Sequence, residues 1–126
     1  MAQKTILIVD DEVILVDLLK IRLEANGYIV ETAYDGIEGL AQAEKVRPNL
    51  IILDIDMAKM DGYTMLKKLR SNEKNKDISV IMLTASGKMR DVFEKEGISD
   101  YILKPFDTED FLKRVDKVFK KGTKPK

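Results

Sequence analysis

The chain has 126 residues, 44% of them hydrophobic, and its 22 basic side chains balance 22 acidic ones. This composition predicts one globular domain and argues against direct contact with nucleic acid or a membrane, because no net charge attracts the chain to either. The chain contains neither cysteine nor histidine, which excludes disulfides, thiolate or histidine-ligated zinc and serine–histidine catalysis. Any histidine in its chemistry must therefore belong to another molecule.

The first half of the chain alternates between apolar runs typical of strands and segments with helical spacing. Thr5–Val9 is apolar and β-branched and predicts a buried strand, and the helix after it ends at Asn26-Gly27. Residues 28–33 are half polar, which favours a strand at a sheet edge. Asp35 and Glu38 have the spacing of a capping box at the start of a second helix. Apolar periodicity predicts the inner face of the first helix at Ile14, Leu15, Leu18, Leu19 and Leu23, and that of the second at Ile37, Leu40 and Ala41.

The second half begins with the most informative run of the chain. Residues 50–53 are four consecutive apolar residues that end abruptly at Asp54, which predicts a strand buried on both faces of a parallel sheet. The remaining predicted elements are a helix after Asp61-Gly62, a strand at 78–83, a short helix that stops near Gly97, a strand at 101–103, and a helix from Asp107 to Gly122.

Strand and helix thus alternate five times with short connections, which requires right-handed crossovers and a parallel sheet. The predicted fold class is α/β, a doubly wound five-stranded parallel sheet with helices on both faces. We expect one domain in residues 1–121 and a flexible basic tail in residues 122–126.

Polar side chains follow the ends of the central strands. In a parallel sheet these ends share one edge, where ligands bind. Carboxylates gathered there repel each other, by roughly 4 kcal/mol per pair at about 4 Å and an effective dielectric near 20, and Mg²⁺ would relieve this repulsion. A lysine charge and a threonine hydroxyl complete a set that suits phosphoryl transfer to a carboxylate. The set consists of Asp10, Asp11, Asp54, Thr84 and Lys104.

Several motifs surround these residues in a characteristic order and spacing. They are Val9-Asp10-Asp11-Glu12, Asp54 with Met60-Asp61-Gly62, Thr84-Ala85, and Asp100-Tyr101 with Lys104-Pro105-Phe106. Together they resemble the receiver domain of two-component response regulators, the family of the chemotaxis protein CheY. The resemblance covers nearly the whole chain and implies a flavodoxin-like sheet with strand order 2-1-3-4-5.

The resemblance also implies a function, that of a phosphorylation switch rather than an enzyme, and a cis peptide bond before Pro105. The implied phosphoacceptor is Asp54, with Lys104 and Thr84 binding the phosphoryl group and Thr84 and Tyr101 acting as the switch. The implied Mg²⁺ ligands are Asp10, Asp11, Asp54 and the backbone carbonyl of Asp56. Asp56 and Ser86 would control the rate at which the phosphate is hydrolysed. Among the metal ligands, Asp11 is expected to bind more directly than Asp10.

The implied partners are a sensor histidine kinase or phosphotransfer protein and a downstream protein target or fused output domain. The fourth helix, last strand and last helix would form the face that changes. We expect a monomer or a weak phosphorylation-dependent dimer, with no direct contact with nucleic acid or a membrane. The sequence has no signal-peptide pattern and no apolar run of membrane-spanning length, so a cytoplasmic location is expected.

Two alternative functions remain open at this stage. Asp54-Ile55-Asp56 resembles the paired-Asp motif of haloacid-dehalogenase-type phosphatases, in which the first Asp is the nucleophile and the second a general acid and base. That motif normally lies on the first strand, and the chain is short for that family. The other alternative is an interaction module that is never phosphorylated, although no site residue is missing. Ala58, where receiver domains usually have proline, is a departure from the pattern.

Overall fold

A computed structural model describes residues 3–122 of the chain. The described residues form five strands and five helices in strict alternation, as the sequence predicts. Of the predicted basic tail, Gly122 lies in the last helix and residues 123–126 lie outside the described part. The elements are β1 (Thr5–Val9), α1 (Val13–Ala25), β2 (Ile29–Ala33), α2 (Gly36–Val46), β3 (Leu50–Leu53), α3 (Gly62–Ser71), β4 (Ser79–Thr84), α4 (Arg90–Lys95), β5 (Asp100–Leu103) and α5 (Thr108–Gly122).

The strands form one parallel sheet with the order β2-β1-β3-β4-β5. This order confirms the doubly wound fold and places the half-polar strand β2 at an edge, as predicted. In the centre of the sheet, Leu53 lies opposite Val9 on one side and Met82 on the other. The carboxyl ends of β1, β3 and β4 therefore meet at the same edge.

Each face of the sheet has its own hydrophobic core. Helices α1 and α5 cover one face, with Leu19 and Phe111 among the fully buried residues. Helices α2, α3 and α4 cover the other face, with Met65 and Phe93 fully buried. Because burial of each such side chain contributes about 1.5–3 kcal/mol, these two cores provide much of the free energy of folding. They thereby hold the strand ends in place.

The buried face of α1 differs from the predicted one. Leu19 and Leu23 are buried as predicted, but Ile14 is 86% exposed and Leu18 is 43% exposed. Val16, which the prediction left out, is fully buried. Apolar residues lie on more than one face of this helix, so helical periodicity does not determine which face meets the sheet.

The predicted inner face of α2 is also wrong at two positions. Ile37 and Ala41 are exposed, whereas Leu40 packs partly buried against the core. The buried residues include Gly39, where an added Cβ would lie 2.9 Å from a methyl group of Val9. Helix α2 thus contacts the sheet through Gly39. Because glycine has no apolar side chain, hydrophobic periodicity does not predict this contact.

Helix α4 has only six residues and is held from its carboxyl end. Its amino end has no side-chain cap at Met89. At the other end, the guanidinium of Arg70 from α3 donates hydrogen bonds to the carbonyls of Glu96 and Gly97, at 3.2 and 3.3 Å. Lys67 of α3 adds an ion pair of 3.2 Å with the Glu96 carboxylate. The carboxyl end of α4 is therefore fixed to α3.

The first residue of α3 packs against the backbone at the end of β3. The Gly62 N–H donates to the Ile55 carbonyl at 2.8 Å, and a Cβ added to Gly62 would overlap the Asp54 carbonyl oxygen. We expect Gly62→Ala to lower the free energy of unfolding by about 2 kcal/mol, because this overlap outweighs the ~1 kcal/mol helix preference of alanine over glycine. Urea unfolding followed by circular dichroism measures the change. Gly87→Ala is the control, since its Cβ would meet only methyl groups of Leu103 at 3.7 Å; equal stability of both variants would contradict the proposed packing.

Candidate functional site

Four of the predicted site residues converge at the carboxyl edge of the sheet. Asp10 directly follows β1, and Asp54 directly follows β3. Thr84 is the last residue of β4, and Lys104 directly follows β5. The Asp54 N–H donates to the Val9 carbonyl at 3.0 Å, and the Lys104 N–H donates to the Thr84 carbonyl at 2.9 Å. Backbone pairing between neighbouring strands therefore sets the spacing of these four side chains.

The Lys104 ammonium pairs with carboxylates at the β1 side of this site. Its Nζ lies 2.8 Å from Asp10 Oδ2, 2.7 Å from Glu12 Oε2 and 3.7 Å from Asp54 Oδ2. Burial alone would lower the lysine pKa, but the hydrogen bonds to Asp10 and Glu12 reverse this, so the pKa of Lys104 is raised. Lys104 is therefore a cation at neutral pH. The peptide bond from Lys104 to Pro105 is cis, as the resemblance implies.

Asp54 is a buried carboxyl group with an unusual pKa. Burial, followed by the charge of Asp10, raises the pKa of Asp54 to about 6. Lys104, the Ile55 N–H at 2.8 Å from Oδ1 and the Thr84 hydroxyl act in the opposite direction. Burial also raises the pKa of Asp10, against its hydrogen bond from Lys104. Ionising both carboxyl groups at neutral pH is therefore unfavourable for the folded protein.

Three carboxylates of this edge are placed to bind one metal ion. Asp10, Glu12 and Asp54 each offer an oxygen atom, and these atoms lie within 4.8 Å of one another. Opposite ligands of a six-coordinate Mg²⁺ lie about 4.2 Å apart, because each lies about 2.1 Å from the ion. Oxygen ligands without nitrogen or sulfur also suit a hard cation. These residues therefore fit Mg²⁺.

Two predicted metal ligands lie outside this group of carboxylates. The Asp11 side chain is exposed, and the structure places Glu12 beside Asp10 and Asp54 instead. Glu12 belongs to a motif quoted above, yet nothing in the sequence distinguishes its direction from that of its acidic neighbours. Asp56 is exposed as well, and its predicted metal role concerns its backbone carbonyl. The metal role of Asp11 and both roles of Asp56 stay predictions.

Tyr101 is connected to the site through the loop after β4. Its side chain is 1% exposed, and its hydroxyl donates a hydrogen bond to the Ser86 carbonyl. The Ser86 N–H in turn lies 3.5 Å from Thr84 Oγ1, and the Arg90 guanidinium lies 4.9 Å from the centre of the Tyr101 ring. A displacement of Thr84 would therefore reach Tyr101 through the single residue Ser86. The switching roles of Thr84 and Tyr101 and the rate-tuning role of Ser86 stay predictions.

The fold and this edge define a class of protein: a doubly wound domain with a buried acidic site beside a threonine and a lysine. Residues 6–116 match the family model for the response regulator receiver domain, and the chain belongs to this family. It is thus a signalling domain rather than an enzyme, which removes the phosphatase alternative.

Relatives and solved structures agree with this assignment. The chain is 46% identical over 112 residues to the DNA-binding dual master transcriptional regulator RpaA of Synechocystis sp., an alignment that covers 87% of this chain and 46% of RpaA. Chemotaxis protein CheY4 of Vibrio cholerae has a TM-score of 0.85 at 34% identity, covering 93% of this chain and 99% of CheY4. TrrA of Thermotoga maritima, in complex with Mg²⁺-BeF, has a TM-score of 0.82 at 34% identity, covering 92% of this chain and 99% of TrrA.

The comparisons do not support the expectation of no contact with nucleic acid, because RpaA is named as DNA-binding. The chain spans about half the length of the curated relatives it matches. The zero net charge behind that expectation describes only these 126 residues. Within residues 3–122, no helix has both the length and the apolar character needed to cross a membrane.

The raised pKa of Asp54 makes the stability of the fold depend on pH. Between about pH 4 and 6 the unfolded carboxyl group, with its ordinary pKa of 3.8, loses its proton before the folded one does, so stability falls as pH rises. We expect Asp54→Asn, without metal, to raise the free energy of unfolding by about 2 kcal/mol near pH 7.5, and to lose most of this gain near pH 4.5. Urea unfolding in EDTA at both pH values measures this. Asp17→Asn, at an exposed position of α1, is the control; a gain from Asp54→Asn that is equal at both pH values would contradict the raised pKa.

Proposed function

We propose that this chain is a phosphorylation-dependent switch in which Asp54 accepts a phosphoryl group from the phosphohistidine of a partner protein. The observation that carries this proposal is the surroundings of Asp54, which is buried between the Asp10 carboxylate and the Thr84 hydroxyl with the Lys104 ammonium 3.7 Å away. Since these 126 residues contain no histidine, the phosphohistidine lies outside them, and the proposed donor is a sensor histidine kinase or a phosphotransfer protein.

The two oxygen atoms of Asp54 have different surroundings. Oδ1 accepts a hydrogen bond from the Ile55 N–H, whereas Oδ2 faces Lys104, so Oδ2 is the nucleophile. Its lone pair forms the new oxygen–phosphorus bond while the phosphorus–nitrogen bond to the donor histidine breaks, and the nitrogen keeps that electron pair. The product on Asp54 is an acyl phosphate. Lys104 and Thr84 donate hydrogen bonds to the phosphoryl oxygens as their charge develops.

Asp10, Asp54 and the backbone carbonyl of Asp56 would hold Mg²⁺, with Asp11 as the further predicted ligand. The bound ion supplies charge neutralisation for the phosphoryl oxygens. Asp56 and Ser86, at the rim of the site, would control access of the water that later hydrolyses the acyl phosphate.

After phosphorylation, the phosphoryl group on Asp54 carries a charge of roughly −1.5 to −2 and offers three strong acceptor oxygens. Thr84 and Lys104 bind these oxygens, and the chain of contacts from Thr84 through Ser86 to Tyr101 shifts an existing equilibrium of the α4, β5 and α5 face. That face regulates a downstream protein target or a fused output domain. The chain itself is a monomer or a weak phosphorylation-dependent dimer.

Incubation with acetyl phosphate and Mg²⁺ is expected to add one phosphoryl group to the chain, as measured by intact-mass spectrometry. Asp54→Asn removes the acceptor and should abolish the gain. Thr84→Ala keeps the acceptor but loses a donor to the transition state, so its phosphorylation should slow by at least about tenfold. Asp17→Asn should gain one phosphoryl group at the same rate as the wild-type protein. A phosphoryl group that still appears on the Asp54→Asn protein would contradict the assignment.

Millimolar Mg²⁺ without a phosphodonor is expected to raise the midpoint of thermal unfolding, because the ion binds the folded carboxylates. At ten times its dissociation constant a ligand adds about 1.4 kcal/mol, which corresponds to a shift of about 5 °C in a domain of this size. Asp10→Asn should remove most of this shift, and Asp11→Asn tests the exposed predicted ligand. Differential scanning calorimetry at matched ionic strength measures the shift. An unmodified chain whose midpoint ignores Mg²⁺ would rule out the metal site.

A further inference from the structure

Glu12 forms the shortest ion pair of the site, and the function proposed above gives this ion pair with Lys104 no role. Its carboxylate lies 2.7 Å from Lys104 Nζ, closer than the carboxylates of Asp10 and Asp54. The Glu12 side chain is 57% exposed, whereas those of Asp10 and Asp54 are 3% and 6% exposed. An exposed glutamate at the start of α1 therefore shares the Lys104 ammonium with two buried carboxylates.

The backbone directs Glu12 toward the site. Its N–H donates to Asp10 Oδ1 at 2.9 Å, and its carbonyl accepts the Val16 N–H at 3.0 Å as the first bond of α1. A residue at this position commonly uses its side chain to cap the helix. The Glu12 side chain makes no such bond and extends to Lys104 instead. The ion pair is thus independent of the helix start.

We propose that Glu12 is a positioning residue that holds the Lys104 ammonium on the Asp10 side of the site, so that Glu12 competes for Lys104 with a phosphoryl group on Asp54. This inference rests on the proposed function and adds a residue to it. The Lys104 ammonium lies 3.7 Å from Asp54 Oδ2, and a phosphoryl group on that oxygen brings three stronger acceptors toward it. A hydrogen bond that Lys104 keeps with Glu12 is withheld from those oxygens, so the ion pair with Glu12 limits the stability of the activated state.

Two variants separate this contact from the mere charge of Glu12. Glu12→Gln removes both the charge and the ion pair. Glu12→Asp keeps the charge, but its carboxylate ends one carbon–carbon bond short of the 2.7 Å contact with Lys104. Asp17→Asn removes a charge from an exposed position of the same helix and is the matched control.

The first experiment measures the affinity for beryllofluoride, a mimic of the phosphoryl group, by ¹⁹F NMR at saturating Mg²⁺ verified for each variant. Glu12→Gln and Glu12→Asp should each bind about threefold more tightly than the unmodified chain, as expected for the loss of one exposed ion pair from the resting state, and Asp17→Asn should be unchanged. If only Glu12→Gln binds more tightly, the charge matters without the contact, and the proposal is overturned. Equal or weaker binding by both variants also overturns it.

A second experiment needs neither metal nor phosphoryl mimic. Trace acetylation of the metal-free chain, with peptide mass spectrometry and exposed Lys113 as the internal reference, reports how firmly Lys104 is held. Lys104 should react at least about twofold faster in both Glu12 variants, and unchanged reactivity would contradict the ion pair. If the unmodified chain fails to bind beryllofluoride, the proposed function is wrong, while the labelling still decides whether Glu12 positions Lys104.

Discussion

Two carboxylates of like charge, those of Asp10 and Asp54, are held side by side because β1 and β3 pair with Val9 opposite Leu53. The backbone N–H of Asp10 donates to Ala33 and that of Asp54 donates to Val9, and both side chains are almost fully buried. Lys104 offsets part of their repulsion, yet the pKa of each carboxyl group remains above its ordinary value. The folded domain therefore contains a region of unfavourable charge, which a bound cation would relieve, and burial in the two hydrophobic cores offsets its cost.

The fold and the centre of the site follow from simple sequence features. Short apolar runs predict buried strands, and their alternation with amphipathic helical segments predicts a doubly wound parallel sheet. Because parallel strands share their carboxyl edge, the residues just past each run, Asp10, Asp54, Thr84 and Lys104, are expected together, and the structure brings them together. Backbone geometry alone determines these positions, so no knowledge of side-chain packing is needed.

Features that depend on side-chain direction are harder to predict. Helix α1 has apolar residues on more than one face, and only packing decides that Val16 is buried while Ile14 is exposed. Helix α2 meets the sheet through Gly39, which carries no side chain to signal the contact. Asp11 and Glu12 are consecutive acids, and the turn between β1 and α1 decides which of them faces Lys104. Periodicity contains no information on that turn.

The anchoring of α4 has a mechanical consequence. Arg70 fixes the carboxyl end of this short helix, whereas its amino end follows the loop in which the Ser86 carbonyl receives the Tyr101 hydroxyl. The amino end is held by β5, because the Arg90 guanidinium donates to the Tyr101 carbonyl at 3.4 Å and lies 4.9 Å from the centre of the Tyr101 ring. A displacement of Tyr101 would therefore act on the amino end while α3 holds the carboxyl end, so the helix would tilt instead of sliding. The pivot belongs to α3, whose first residue rests on the backbone of Asp54.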